Sequence, residues 1–281
     1  MSIDKSIDKT LRRISRLREK LNGRISDLGE QLSDRLTDLG DHFDELHAEI
    51  RRRFGAAPRE RAGEIFRQLP EPSGMEMSVL DALTLRRTER NFSDEPLSDQ
   101  MLSNLLYAAD GINRRSGRRT TPTTLDWRET EIYVLKSNGI WRWVPERRGL
   151  LFCAMRDVRE AAYLVSVPFS LPPVVLVYVT NLARTRSLLA ETVASVAPKI
   201  SAANLDEAAI EEIRMRSTEL DAGAKLQSVY LAAAAMELAC VARTGFSTER
   251  LARELHLRPD EVIAAAQSVG IPAKSLLDHI K

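Results

Sequence analysis

The side chains in this sequence best placed to do chemistry are cations and hydroxyls gathered in short runs. Residues 86–90 read Arg-Arg-Thr-Glu-Arg. Two guanidiniums beside a hydroxyl can fork onto the oxygens of a phosphate, because each guanidinium presents its N–H donors in a fixed plane. Taken alone, the run also reads as a solvated helix end with local ion pairs. A second run, Arg243-Thr244-Gly245, ends in a residue that allows a close backbone approach; a plain cap after a long helix is the competing reading. No Ser–His–Asp or Cys–His constellation is evident. His42, His47, His256 and His279 are scattered, and none has metal-ligand spacing with a partner. No metal site is expected, and no protein group is assigned a catalytic role. Trp127, Trp141 and Trp143 read as sheet and loop packing in preference to a substrate cage.

These groups need elements to hold them. The chain has 281 residues, enough for one large domain with an appendage, and its 43% hydrophobic and 29% charged content is that of a globular protein. A formal net charge of +1 gives no pull toward nucleic acid. Cys153 and Cys240 lie far apart inside apolar runs and read as buried thiols in a reducing compartment. The apolar stretch around Val165 to Thr180 is broken by Pro168, Pro172 and Pro173, and the N-terminus has no apolar leader. A cytoplasmic protein is expected. From Met77 onward, SVLDALTLRR predicts an amphipathic helix, and Ser98 caps a second helix that ends at Gly111. TEIYVL and GIWRWVP predict a hairpin through Ser137-Asn138-Gly139. PPVVLVYVT predicts a buried central strand. Residues 206–240 predict one long helix, LARELHL a short one, and DEVIAAAQSVG a passage from helix to strand. The coarse result is α+β with one antiparallel-rich sheet.

Residues 1–54 are a separate object. Ile14, Leu17, Leu21, Ile25, Leu28, Leu32, Leu36, Leu39 and Phe43 recur with an eleven-residue period, and Ile50 and Phe54 continue the stripe. Eleven residues in three turns lie close to the relaxed helix, so the stripe stays nearly straight. Such a helix would reach roughly 80 Å at about 1.5 Å per residue and cannot bury its stripe alone. Lys5 to Arg24 is mainly basic and Asp27 to Glu49 mainly acidic, a pattern that pairs with an antiparallel copy or with itself folded back near Asn22-Gly23. Oligomerisation is the favoured reading, and lying on a membrane surface the lesser one. Residues 55–75 read as a linker around a short helix.

Four segments of residues 76–281 resemble, in order, the nitroreductase family of FMN-dependent oxidoreductases, particularly its SagB-type dehydrogenase-like branch. They are RRTERNFSDEPLSDQMLSNLLYAADGI, RTTPTTLDWRETEIYVL, DAGAKLQSVYLAAAAMEL and ARTGFSTERLARELHLRPDEVIAAAQSVGIP. The resemblance implies a nitroreductase-like mixed, largely antiparallel sheet flanked by helices, with FMN bound at a dimer interface. It implies that Arg86, Arg87 and Thr88 meet phosphate and pyrimidine oxygens, and that Arg90 stands near the N1–C2=O edge of the flavin. Pro122, Thr123 and Thr124 match the family's P-S-x turn. Asp126 replaces the usual Asn or Ala, and an ionised Asp only accepts hydrogen bonds; Arg128 is placed to neutralise it. Gln227 matches a helix position at the dimer interface, with Ser228 in place of Asn. Arg243, Thr244 and Gly245 match the loop at the flavin N5 and O4 edge, and Lys274 a terminal cation near the phosphate.

The function this implies is hydride transfer from NAD(P)H through FMN to a small conjugated acceptor of nitro or quinone type. A SagB-like oxidative dehydrogenase is the enzymatic alternative. A flavin-free pseudoenzyme serving assembly through the N-terminal helix is the alternative from another class, favoured by Leu125-Asp126 and opposed by the retained arginines.

Overall fold

The computed structural model describes residues 64–124, 127–164, 171–183 and 207–273. The helix expected over 1–54, and with it the assembly role and the membrane-surface alternative, lies outside the described residues, as do Leu125, Asp126 and Lys274. Seven strands form one sheet: β1 (Phe66–Gln68), β2 (Thr130–Lys136), β3 (Gly139–Val144), β4 (Gly149–Ala154), β5 (Val174–Asn181), β6 (Ala239–Arg243) and β7 (Glu261–Gly270). Their spatial order is β1-β4-β3-β2-β5-β7-β6, and every described pairing is antiparallel. The helices are α1 (Val79–Leu85), α2 (Asp99–Asp110), α3 (Glu207–Ala235) and α4 (Thr248–Glu254).

The continuous apolar run of β5 is explained by its neighbours, since both faces of the sheet are covered. Val174, Leu176 and Tyr178 face a core shared with α2 and α3 through Leu102, Leu105 and Val229. Val175, Val177 and Val179 face the opposite core, built with the 3-10 turn Arg159–Ala162 and with Leu251 of α4. The alternation is the two-residue period of a strand. A buried polar chain ties the centre together. Tyr178 donates to Gln267 Oε1 at 2.7 Å, and Gln267 Nε2 donates to the Leu226 carbonyl of α3 at 3.1 Å and contacts Cys240 Sγ at 3.1 Å.

Several local expectations hold for visible reasons. Ser78 and Ser98 cap α1 and α2 by accepting from the amides of Asp81 and Met101. The β2–β3 hairpin turns where expected, with Lys136 opposite Gly139. Gly139 has φ 144°, and a Cβ there would stand 2.6 Å from the Ala154 carbonyl oxygen, so this position requires glycine. The three tryptophans are core residues, each under a tenth exposed.

Other expectations are corrected. α3 stops at Ala235 instead of running to 240, and Ala239–Arg243 is a strand. Glu237 takes φ 55°, and the amides of Glu237 and Leu238 close onto the carbonyls of Ala234 and Ala233, a helix stop made without glycine or proline. Residues 261–270 are strand throughout, although Ala264, Ala265 and Ala266 favour helix; β5 and β6 pair with them on both sides. Within the stretch read as a linker around a short helix, Phe66–Gln68 forms edge strand β1 against β4. Cys153 is exposed, not buried. Among the described residues no helix is long and apolar enough to cross a membrane.

The fold also buries charge. Lys225 of α3 has no solvent exposure, and its Nζ donates to Asp110 Oδ1, at the end of α2, at 2.6 Å. Removing Lys225 leaves Asp110 desolvated with only the Arg119 guanidinium, 3.7 Å away, to answer it, at a cost of up to about 3–5 kcal/mol. Lys225→Ala is therefore expected to lower the urea unfolding free energy by about that amount, whereas Lys225→Met combined with Asp110→Leu costs far less than the two single losses summed.

Candidate functional site

The Arg-Arg-Thr-Glu-Arg run is not a helix end. α1 stops at Leu85, and Arg86 leaves it with φ −56° and ψ 119°, so residues 86–93 run as a strap along the sheet edge. The Glu89 amide donates to the Cys240 carbonyl of β6 at 3.0 Å, Ser93 donates to the Ile271 carbonyl at 2.9 Å, and Ala273 donates back to the Asn91 carbonyl at 3.1 Å. Phe92 bridges Pro272. The backbone thus brings the strap, the end of β6 and the segment after β7 to one place.

The side chains there are cations and hydroxyls. The Arg86 guanidinium lies 5.5 Å from the ring centroid of Tyr230 on α3, a cation–π distance. Tyr230 Oη accepts from the Ala242 amide at 2.7 Å and stands 3.5 Å from Thr88 Oγ1. Arg243 ends β6. Its Nε donates to Ser268 Oγ at 2.9 Å, its Nη2 donates to Tyr163 Oη at 3.1 Å, and its guanidinium lies 3.9 Å over the Tyr163 ring. Burial lowers the Arg243 pKa from its ordinary value; Tyr163 opposes that shift and the positive charge of Arg90 adds to it. Among the described residues no carboxylate pairs with Arg86, Arg90 or Arg243. Guanidiniums without a carboxylate partner can accept an anion. Burial pushes the Cys240 thiol beneath this cluster up to about 12, so it stays protonated and is no nucleophile.

The remaining expected residues are placed as follows. Arg87 is exposed and 3.9 Å from Glu89, a solvated local pair. Thr244 and Gly245 are exposed on the loop after β6. A Cβ on Gly245 would meet nothing within 4 Å, and a strand separates this glycine from α3, so it caps no helix. Gln227 is exposed on α3. Pro122, Thr123 and Thr124 form a separate station. Thr120 Oγ1 donates to the Tyr107 carbonyl at the end of α2, Thr121 Oγ1 to that of Ala109, and Thr124 uses both its amide and its hydroxyl on Asp221 of α3. Asp221 and Tyr230 are about 13 Å apart along α3, at about 1.5 Å per residue. No hydrogen bond joins this turn to the cation cluster among the described residues.

Tyr163, Tyr230, Ser268 and Asp221 were not singled out from sequence. Single aromatic and hydroxyl residues carry no spacing signal. Asp221 and Lys225 had one, being charges four apart on the same helix face as Ala222 and Val229.

With this geometry in hand, comparison with known proteins is informative. The profile of the nitroreductase family matches residues 83–271. A candidate nitroreductase of Methanocaldococcus jannaschii is 28% identical over 127 residues, covering 42% of this chain and 63% of that relative, so the match spans under two thirds of its length. The crystal structure of a candidate nitroreductase from Ralstonia eutropha superposes with a TM-score of 0.62 at 27% identity, over 78% of this chain and 94% of the other. A chain of the Escherichia coli microcin synthetase McbBCD complex, with truncated pro-MccB17 bound, shares the fold at a TM-score of 0.53 and 15% identity, over 81% and 82% of the two chains.

Arg243 organises one wall of the cluster by bonding two hydroxyls that also stand 3.4 Å from each other. Arg243→Ala is expected to lower stability in urea by about 1–3 kcal/mol, the cost of losing hydrogen bonds to a charged group. Arg243→Lys should recover only part of this, because an ammonium cannot reproduce the planar fork.

Proposed function

Because the chain belongs to the nitroreductase family, an oxidoreductase family of the flavin type, we propose that it is an FMN-dependent enzyme. It would take reducing equivalents from NAD(P)H and pass them to a small conjugated acceptor of nitro or quinone type, working as a homodimer. The observation that carries this reading is that the guanidiniums of Arg86, Arg90 and Arg243 lie on neighbouring segments with no described carboxylate paired to any of them. The chemistry of this donor set fits FMN, which carries a phosphate dianion and a ring that becomes negative on reduction.

Each part then has a task. FMN, when bound, supplies the reversible two-electron chemistry that the side chains lack. Arg86 and Thr88 bind anionic or carbonyl oxygens, with Tyr230 holding Thr88 and the β6 backbone in register. Arg90 supplies positive charge that favours the reduced ring. Arg243 is fixed by Tyr163 and Ser268 and can move little, which keeps a cation in place without reorganisation. Pro122, Thr123 and Thr124 present the hydroxyls and backbone of a turn pinned from two helices. Thr244 and Gly245 leave an open backbone edge.

The dimer reading rests on an apolar face. Val79, Leu80 and Leu83 of α1, together with Leu220 of α3, are each at least half exposed, and α1 packs on α3. Covering each such side chain contributes about 1.5–3 kcal/mol, so a second copy laid on this face would be held firmly.

Purified protein should be yellow, or should take up FMN with an absorbance shift. At one hundred times the dissociation constant FMN should add about 2.7 kcal/mol of stability in a melt. Colourless protein unmoved by FMN would overturn the reading. Arg90→Ala should lower the flavin reduction potential in a redox titration, because a cation that favours the anionic reduced form is lost; an unchanged potential would take Arg90 away from the ring.

A further inference from the structure

Glu129 is 1% exposed at the start of β2, and among the described residues no N–H or O–H donates to either of its carboxyl oxygens. Its backbone carbonyl is satisfied by the Asn181 amide at 3.1 Å; only the side chain is left over. The group at hydrogen-bonding range is the carboxyl of Asp221. Asp221 is itself 2% exposed and accepts three contacts from Thr124, two from the amide at 3.0 and 3.1 Å and one from the hydroxyl at 3.1 Å. Both Asp221 oxygens are thus engaged as acceptors, whereas neither Glu129 oxygen accepts from a described donor, so a hydrogen between the two acids sits best on Glu129.

The surrounding charges lead to the same assignment. From α3, Lys225 is committed to Asp110 at 2.6 Å. From the segment after α2, Arg119 lies 3.7 Å from Asp110 and 2.7 Å from the half-exposed Glu146. Further back on α3, Arg214 donates to Glu211 and to the Leu182 carbonyl, and among the described residues the hydroxyl of Thr218 has no partner. From the sheet, Thr130 and Thr180 bond each other at 2.9 Å, and Arg128 precedes Glu129 in the chain. Lys225, Arg119 and Arg214 each have a carboxylate partner other than Glu129. An ionised Glu129 would be a buried charge with no cation bonded to it among the described residues, which is strongly disfavoured.

We propose that Glu129 keeps its proton near neutral pH and donates it to Asp221, and that this bond holds Asp221 in the position that clasps Thr124. Asp221 and Glu129 are thus positioning residues for the Pro122–Thr124 turn. Loss of the proton sets two carboxylates against each other in the core and loosens the turn. Burial, with Asp221 adding to it and the Glu129 backbone amide and Lys225 opposing, raises Glu129 from 4.5 to about 7. The sign follows. A raised acid stabilises the fold fully below about 4.5, and the contribution is lost as pH rises through about 7. The consequence for ligand affinity rests on the reading that this turn faces FMN; the proton bond itself does not.

The test uses the ligand-free full chain. Hydrogen exchange at the Thr124 amide, corrected for the intrinsic pH dependence, should show protection that falls severalfold from pH 6 to pH 8. Glu129→Gln, whose amide donates to Asp221 at every pH, should keep that protection high and flat, and should remove most of the drop in melting temperature over the same interval. Asp221→Ala should lose the protection at both pH values. A Glu129→Gln protein with the wild-type pH slope would overturn the proposal. Should the variant fail to fold, wild-type infrared spectra decide. A protonated-carboxyl band present at pH 6 and lost by pH 8 supports the shared proton, and its absence at pH 6 overturns it. FMN titrations at the two pH values separate the two readings. A flat FMN affinity alongside a pH-dependent Thr124 amide would take the turn away from the cofactor while leaving the proton bond intact.

Discussion

A 29-residue helix that carries a lysine with no solvent exposure into the core obliges its surroundings to answer that charge. Lys225 is met by Asp110, and Asp110 is the last residue of α2. That fixes where α2 must end, and the chain leaves at Gly111, whose amide accepts no delay. It donates to the Tyr107 carbonyl and to Thr120 Oγ1 at 2.8 and 3.0 Å. The loop that follows returns its own hydroxyls to the α2 carbonyls through Thr120 and Thr121. One turn of α3 before Lys225, Asp221 takes hold of Thr124. A chain of charge and hydrogen bonding thus runs from one buried ammonium to the position of an exposed turn.

The two groups of charged residues in the domain differ in how they are satisfied, and the difference separates structure from function. Around α3 the buried cations have carboxylates beside them: Lys225 and Arg119 meet Asp110, and Arg214 meets Glu211. At the sheet edge, Arg86 and Arg243 have aromatic rings and hydroxyls for neighbours, and no described carboxylate forms an ion pair with either of them or with the Arg90 guanidinium. Stability alone favours the first arrangement, because unmatched charge near the interior is costly. The second is the arrangement expected of the proposed site, where a ligand would supply the missing sign. The arginines carry the functional argument for that reason, and Lys225, although more deeply buried, does not.

How far this was legible in the sequence depends on whether the deciding force was local. Ser98 and the Ser137-Asn138-Gly139 turn act through their own neighbours, and the structure places them as expected. β5 was legible because both its faces are covered and its sequence is continuously apolar. β6 and β7 were not, because alanine-rich sequence favours helix and the strand state is imposed by pairing, of β7 with β5 and of β6 with β7. The end of α3 was hidden because Glu237 makes the stop by adopting φ 55°, with no glycine or proline to announce it. In the candidate site, the arginines were legible as a run. Their partners were not: Tyr163, Tyr230 and Ser268 come from three distant segments that only the sheet order brings together. Glu129 looked like one more charge in WRETE, and its burial is a property of the assembled core.

The strap of residues 86–93 shows why the cations are available at all. β6 is the edge of the sheet, and an exposed edge invites pairing with another chain. The strap covers it at Glu89 with a backbone bond to Cys240, and beyond it bonds the segment after β7 through Asn91 and Ser93. Those contacts use main-chain groups only. The guanidiniums of Arg86 and Arg90 are thereby left out of the folding interactions of their own segment, while the backbone that carries them is held as firmly as a strand. A helix in the same place would have needed one face of side chains for packing, and would have turned part of the run inward. An extended strap bound through its peptide groups can commit its side chains to a ligand, and this is the physical advantage of placing the Arg-Arg-Thr-Glu-Arg run just past the end of α1.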